Sequence, residues 1–345
     1  MKPARSLYSV AEVRAIERAA LAAAPAGTLM RRAGAAAAEL ATRLLPGGGR
    51  VLAIAGPGNN GGDAMEAAML LASRGWQVTI DFRGNPAALS ADAAAALRRA
   101  QAGAAHFGQA DMADGWQLVL DGLFGIGLAR PIAGDLAELV RAVNRLRCPV
   151  LALDVPSGLD ADTGAIVGPD GVAVQATHTL TFIADKPGLH TADGCDHAGL
   201  VEVASLEIDP ALFPAPSAWL AGTDLFAASL QPRRRNSHKG SFGDVAILGG
   251  AQGMSGAAIL AARTAALGGA GRVFAGFLAE PPAYDPPHPE IMCRRAADLE
   301  LERACVVAGP GLGSSGQARS MLSQVLAGTA PLVLDADALN MVAAG

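Results

Sequence analysis

Nothing in the 345-residue sequence supplies an excess of positive charge: 27 lysines and arginines stand against 32 aspartates and glutamates, a formal net charge of -5. With an isoelectric point near 5.7, the chain exerts no general attraction on nucleic acid or on an anionic membrane. Any anionic ligand must therefore be held by local geometry, and small anions are the class to expect. Cysteine is sparse too. Cys148, Cys195, Cys293 and Cys305 are scattered, without a Cys-x-x-Cys pair or a zinc-like spacing to histidine, which fits a reducing cytoplasm. No charged-then-apolar leader precedes Leu7. No apolar stretch reaches bilayer length before an arginine, glutamate or glutamine interrupts it, so no membrane span is read.

What the sequence does have is apolar material for two cores, with 51% hydrophobic and 17% charged residues, and at this length two domains are the default. Residues 7–45 read as two helices, the first opened by Ser9 with Glu12 three residues on, a capping-box pattern. From "RVLAIAG" the pattern changes to short apolar strands at 51–56, 76–80, 118–123, 150–155 and 178–184, with helices near 61–74, 87–102 and 134–146. Such strands are buried on both faces, so the expected fold is α/β, a Rossmann-like three-layer αβα sandwich with a mostly parallel sheet. "GLVEVASLEI" alternates and suits an edge. The texture breaks over 209–243, where Arg233, Arg234 and Arg235 read first as a solvated linker and second as a phosphate patch. A second α/β pattern then begins with "DVAILGG", "RVFAGF", "CVVAGPGLG" and "PLVLDADALN", three or four strands in all.

In an open parallel sheet, ligands sit beyond the carboxyl ends of the strands. That rule gathers "GPGNNGGD" after the first strand, Asp121 at the end of "QLVLD", and Asp154 at the end of "VLALD" onto one rim. One such aspartate is commonly a helix cap; three on separate strands, each followed by a glycine-bearing turn, point to a shared site. The glycine loop lacks the GxGxxG spacing of a dinucleotide fingerprint. Asn60, Asp121 and Ser157 offer instead the hard oxygen ligands of a cation cage. "GIGLARP" adds backbone N–H groups and Arg130 suited to a pyrophosphate, although Arg130 reads equally as a surface residue. Asp154 is the candidate proton-transfer group, a carboxylate at the floor of a partly dry cleft. Lys186 is read either as a cation reaching the same rim or as an ordinary loop lysine.

Taken together, "LYSVAEVRAIERAA", "LMRRAG", "GPGNNGGD", "DGLFGIGLARP", "DVPSGLDADTG" and "TLTFIADKPGL" resemble, in order and spacing, the YjeF-type NAD(P)H-hydrate epimerase family over roughly residues 5–215. "NSHKGSFGDVAILGG", "HPEIM", "GPGLG" and "DADALN" resemble the ribokinase-like ADP-dependent NAD(P)H-hydrate dehydratase domain fused to it in bacterial bifunctional proteins. The resemblance implies an epimerase domain at 1–215, a linker at 216–240 and the first part of a ribokinase-like α/β domain at 241–345. It implies interconversion of the R and S forms of NADHX and NADPHX, which carry water at C6 of the nicotinamide ring. One potassium ion would sit on Asn60, Asp121 and Ser157. The hydrate would lie on Asn59, Asn60, Gly61, Gly62 and Asp63, and on the loop Gly125, Ile126, Gly127, Leu128, Ala129, Arg130 and Pro131. Asp154 would contact it as the proton carrier, with Lys186 as its catalytic neighbour. A homo-oligomer without nucleic-acid or membrane partners is expected.

Three positions depart from the family pattern. Arg31 stands where a glutamate is usual, Ala64 where glycine is common, and Met69 near a usual arginine. Ala64 is expected to be tolerated if it is already helical. The other two raise the alternative of a nucleotide-binding scaffold without turnover. In the second domain, Ala257, Gly311 and Gly313 keep part of a substrate surface, and ADP, with Mg2+ admitted beside it, is the implied cosubstrate. No Gly-Thr-Gly-Asp motif occurs, so that half is expected to be incomplete as a dehydratase.

Overall fold

The computed structural model describes residues 4–113, 115–229 and 232–345. The chain divides into two compact units, Met1–Leu230 and Gln231–Gly345. The first opens with strand β1 (Arg5–Leu7) and helices α1 (Val10–Ala23) and α2 (Thr28–Leu44). The capping box forms as read: the Ser9 hydroxyl accepts from Glu12 N–H, and the Glu12 carboxylate accepts from Ser9 N–H at 2.7 Å. Strands and helices then alternate as β2 (Arg50–Ala55), α3 (Asn59–Ser73), β3 (Gln77–Phe82), α4 (Ala91–Gln101), β4 (His106–Phe107), β5 (Leu118–Gly122), α5 (Gly134–Val143), β6 (Val150–Leu153), β7 (His178–Phe182), α6 (Gly194–His197) and β8 (Leu200–Ala204).

These strands form one sheet in the order β4-β3-β2-β5-β6-β7-β8, and every pairing in it is parallel. Its two faces follow the period of two along β2. Val51, Ala53 and Ala55 enter a core with Ile16, Ala37, Ala64 and Leu71 of α1, α2 and α3, whereas Leu52 and Ile54 join Val119 and the α5 residues Ala137, Val140 and Val143. Helices therefore cover both faces, the three-layer arrangement that the uninterrupted apolar strands implied. β8, whose sequence alternates, lies at the edge and leaves Leu200 largely exposed.

Short strands escaped the sequence. β4 has two residues, and β1 pairs antiparallel with β9 (Ala218–Leu220), a segment read as the start of a linker. Neither is long enough to show a period, and the partner of β1 is more than two hundred positions away, so no local pattern reveals it.

β3 and β4 lead away from β2 on one side, and β5 to β8 on the other. The boundary between β2 and β5 is thus the switch point at which an open α/β sheet leaves a crevice. The loops there are packed to the limit. A Cβ on Gly61 would stand 2.1 Å from the Gly56 carbonyl oxygen, so the first turn of α3 can descend onto the preceding loop only with glycine at this position.

In the second unit the elements are β10 (Asp244–Gly249), α7 (Ser255–Leu267), β11 (Arg272–Phe277), β12 (Met292–Arg295), β13 (Ala304–Ala308), α8 (Gly316–Ala327), β14 (Leu332–Leu334) and α9 (Ala336–Ala344). The sheet is parallel, in the order β12-β11-β10-β13-β14. Ile247 packs with Ala258 and Ala262 of α7, while Leu248 packs with Ala318 and Leu322 of α8 and Ala338 of α9. β12 went unread because two of its four residues are arginines.

Gly61→Ala should cost roughly 1–3 kcal/mol through overpacking against fixed backbone, lowering the urea midpoint. Gly58→Ala, whose added Cβ meets nothing within 4 Å, should leave it near wild type. Equal midpoints for the two variants would refute the tight approach.

Candidate active site

A cavity of about 670 Å³ opens at the β2–β5 switch point. Asn59, Asn60 and Asp63 line it from α3, Gly125 to Arg130 from the loop after β5, and Asp154 from the end of β6. Gly61 and Gly62 do not line it; they are buried in the first turns of α3, against the Gly56 carbonyl and Met30 respectively. Pro131 lies beyond the lining, beside Gly168. Asp121, Ser157 and Lys186 are fully buried side chains behind the wall.

The chain reaches Asp154 through a strained turn. Its φ is +65°, in the left-handed region, and Val155 N–H donates to the Leu153 carbonyl across it at 2.9 Å, closing a γ-turn. The neighbouring strand repeats the device: Ile183 has φ +69°, with Ala184 N–H bonded to the Phe182 carbonyl at 2.8 Å. The two turns face Asp154 and Ile183 into the cavity. Lys186, 0% exposed, donates to Asp154 Oδ1 at 2.8 Å, to Thr181 Oγ1 at 2.6 Å, and to the Phe182 and Ala184 carbonyls at 3.0 and 3.2 Å. Phe182 N–H also donates to Oδ1, at 3.2 Å. One carboxylate oxygen of Asp154 is thereby fixed; the other, Oδ2, lies near Gly125, 3.5 Å from where a Cβ on that glycine would stand. Lys186 is thus a buried partner of Asp154 and not a solvent-exposed side chain of its loop.

Asp121 and Ser157 lock together beneath the loop. The Ser157 hydroxyl donates to Asp121 Oδ1 at 2.6 Å, its N–H donates to Oδ2 at 2.8 Å, and Phe124 N–H donates to the Ser157 oxygen at 2.8 Å. Burial pushes the Asp121 carboxyl up, and the hydrogen bonds from Ser157 and Leu123 oppose that rise. Asn60 stands next to this pair: Gly122 packs on its carbonyl and Gly125 on its side chain. Its amide nitrogen and oxygen are both buried with no hydrogen-bond partner among the described residues. A buried amide left unpaired is costly, which sets this side chain apart from the hydrogen-bonded Asp121 and Ser157.

α1 brings two residues that the sequence reading missed. Arg14 and Glu17 line the cavity, and Arg14 Nη2 reaches the Ile126 carbonyl at 3.5 Å. Their spacing of three puts them on one side of a helix whose Val13, Ile16 and Ala20 face the core. That spacing was the available signal, but it served only to recognise the helix. Burial raises the Glu17 carboxyl, and the Asp154 charge adds to the rise. Asp63 is pushed well above the usual carboxylate range, first by burial and then by Asp154, Glu17 and Glu66. The three departures lie elsewhere: Arg31 folds back on Thr28 and the Ala26 carbonyl, Met69 sits beside Gly103, and Ala64 is buried inside α3 against Gly122.

In the second unit, the loops after β10 and β13 meet at that sheet's own switch point. Gly311, at φ +62°, would place a Cβ 3.2 Å from that of Ala257, and Gly313 N–H donates to Asp337 at 2.7 Å. Two predicted residues, Ala257 and Gly313, therefore flank one rim of that unit.

The family model described as YjeF-related protein N-terminus matches residues 26–188, and that described as NAD(P)H-hydrate dehydratase matches 245–345. A Coxiella burnetii protein, "Bifunctional NAD(P)H-hydrate repair enzyme Nnr", is 36% identical over 98% of this chain and 71% of its own. The chain belongs to the bifunctional NAD(P)H-hydrate repair family. It carries both domains of that family, epimerase and dehydratase. A Bordetella bronchiseptica "NAD(P)H-hydrate epimerase" is 48% identical over 59% of this chain and 88% of its own. The crystal structure of yeast ynu0 shares the fold, with a TM-score of 0.51 at 20% identity over 63% of this chain and 97% of that one. Among the described residues, no helix of this repair-family chain is long and apolar enough to cross a membrane.

A carboxyl whose folded pKa lies above its ordinary 3.8 destabilises the fold as it ionises. Stability falls as pH rises from the unfolded value through the raised folded one. Asp63→Asn should therefore be more stable than wild type at pH 7–8 in urea denaturation, and the difference should vanish below about pH 3.8. A gain that persists undiminished at pH 3 would contradict the assignment.

Proposed function

We propose that the first unit epimerises the R and S forms of NADHX and NADPHX at C6 of the nicotinamide ring. The observation that carries this reading is Asp154: a carboxylate held in a strained turn, with one oxygen fixed by Lys186 and the other free beside the cavity loop. C6 bears both a ring nitrogen and a hydroxyl. Its configuration is lost whenever one of those bonds breaks reversibly, and a positioned proton carrier is sufficient for that. The cavity volume of about 670 Å³ is of the size that encloses a ligand of this class. The hydrate would lie along the α3 N-terminus and the loop residues 125–130, where backbone N–H groups and Arg130 suit its pyrophosphate.

Asn60, Asp121 and Ser157 fit a potassium ion. The fit rests on the unpaired Asn60 amide oxygen, the buried Asp121 carboxylate and the adjacent hydroxyl, all hard oxygen donors. When bound, the ion would supply positive charge beside the nucleotide. In the second unit, Ala257 and Gly313 would contact the S hydrate, with ADP and Mg2+ as the implied partners of that domain. Assembly as a homo-oligomer and a cytoplasmic location belong to the same proposal, the latter in keeping with four cysteine thiols that stand apart.

Acid-prepared NADHX, separated into epimers by chromatography, should re-equilibrate faster with the protein than without it. Asp154→Asn should slow that acceleration by about 10²–10⁴-fold, the contribution of a positioned proton-transfer group. Tight hydrate binding with no acceleration by the wild-type protein would point to a scaffold instead.

A further inference from the structure

Asp63, expected to contact the hydrate, is a carboxylate of the cavity with no part yet in the chemistry; Glu17 and Asp92 line the same cavity. Asp63 is buried, at 8% exposure. It lines the cavity, and it carries no hydrogen bond or ion pair among the described residues, unlike Asp154 with its lysine and Asp121 with its serine. The charged groups around the cavity are Glu17 and Arg14 from α1, Asp92 from α4, Arg130 from the loop after β5, Glu66 on the helix of Asp63 held by Arg99 of α4, and Asp154 with Lys186 beyond β6 and β7. Burial opposes the ionisation of Asp63 most, and the negative charges of Asp154, Glu17 and Glu66 add to that. Arg99 is engaged by Glu66 and Lys186 by Asp154, so neither cation is directed at Asp63.

We infer that Asp63 is the proton donor that lets the C6 hydroxyl of the hydrate depart as water. The inference rests on the epimerase reading and divides its proton transfers between two carboxyl groups. The O–H bond of the Asp63 carboxyl breaks and its proton joins the C6 oxygen. The C6–O bond breaks with its electron pair on that oxygen, and the N1 lone pair forms N1=C6. One positive charge on the ring and one negative charge on Asp63 result. Water then adds to the opposite face of C6, the π electrons return to N1, and the proton that this water sheds passes to the Asp154 carboxylate. Exchange with solvent returns a proton to Asp63 and removes one from Asp154. Nothing is oxidised or reduced. A hydroxyl bonded to carbon leaves poorly as hydroxide, so an acid held neutral in a cavity of carboxylates is what this step requires, and two acids in contrasting environments divide the two directions of proton transfer.

The test is epimer equilibration by wild type, Asp63→Asn and Asp63→Glu, followed from pH 5 to 9 with kcat and KM measured separately. The inference expects the wild-type kcat to fall as pH rises and ionises Asp63. Asp63→Asn should lose about 10²–10⁴-fold in kcat with KM changed by less than about threefold, and it should no longer show that alkaline limb. Asp63→Glu should recover part of the rate together with a pH-dependent limb. An Asp63→Asn variant that keeps the wild-type kcat and its alkaline limb, or whose loss lies wholly in KM, overturns the inference while leaving the epimerase reading intact. Absence of acceleration by the wild-type protein would instead overturn the epimerase reading itself. A urea transition for Asp63→Asn at or above the wild-type midpoint shows that its loss of rate is not a failure to fold.

Discussion

Burying the Lys186 ammonium strips it of hydration, and the rest of the first unit is arranged around replacing that water. Desolvating an ion costs several kcal/mol even after relaxation. The offset here comes from a carboxylate, a hydroxyl and two backbone carbonyls that all belong to the ends of β6 and β7. The backbone leaves both strands abruptly where these groups meet the lysine, through γ-turns at Asp154 after β6 and at Ile183 after β7. The strain at Asp154 is thus held by the lysine beneath it, and its product is a carboxylate with one oxygen immobilised and one presented to the cavity.

The same economy of space governs the facing wall. Gly56, Gly61 and Gly122 allow the first turns of α3 to settle against the loops after β2 and β5. That descent brings Asn60 next to the Asp121–Ser157 pair and withdraws Asp63 from solvent. Polar groups that are buried this way without protein partners would be a liability in a purely structural core. Here they border a cavity at a sheet switch point, which gives them a ligand to meet. The position of the family departures agrees with this: Ala64 is an interior helical residue packed on Gly122, while Arg31 and Met69 stand outside the lining and leave the constellation of carboxylates undisturbed.

The two units repeat one principle with different chemistry. In each, chain order reverses about an interior strand, β2 in one and β10 in the other, and the glycine-bearing loops gather at that reversal. The first unit lines its rim with carboxylates and an amide and backs it with a buried lysine. The second presents Ala257, Gly311 and Gly313, a smooth surface with Asp337 tied to the Gly313 amide.

Much of this was legible in the residues themselves. Uninterrupted apolar runs alternating with helical periods specify a parallel sheet covered on both faces, because no other arrangement buries them. Aspartates at strand ends followed by glycine turns specify the rim, because strand direction is the same throughout such a sheet. The sequence alone therefore named Asn60, Asp121, Asp154 and Ser157, and left Lys186 and Arg130 undecided. Only the tertiary structure decided that Lys186 lies under Asp154, that α1 delivers Glu17 to the cavity, that Gly61, Gly62 and Pro131 support the walls without lining them, and that β1 pairs with β9. Each of these depends on segments far apart in the chain. Burial and charge, which determine whether Asp63 stays neutral, are properties of the neighbourhood that folding assembles, and no local pattern encodes them.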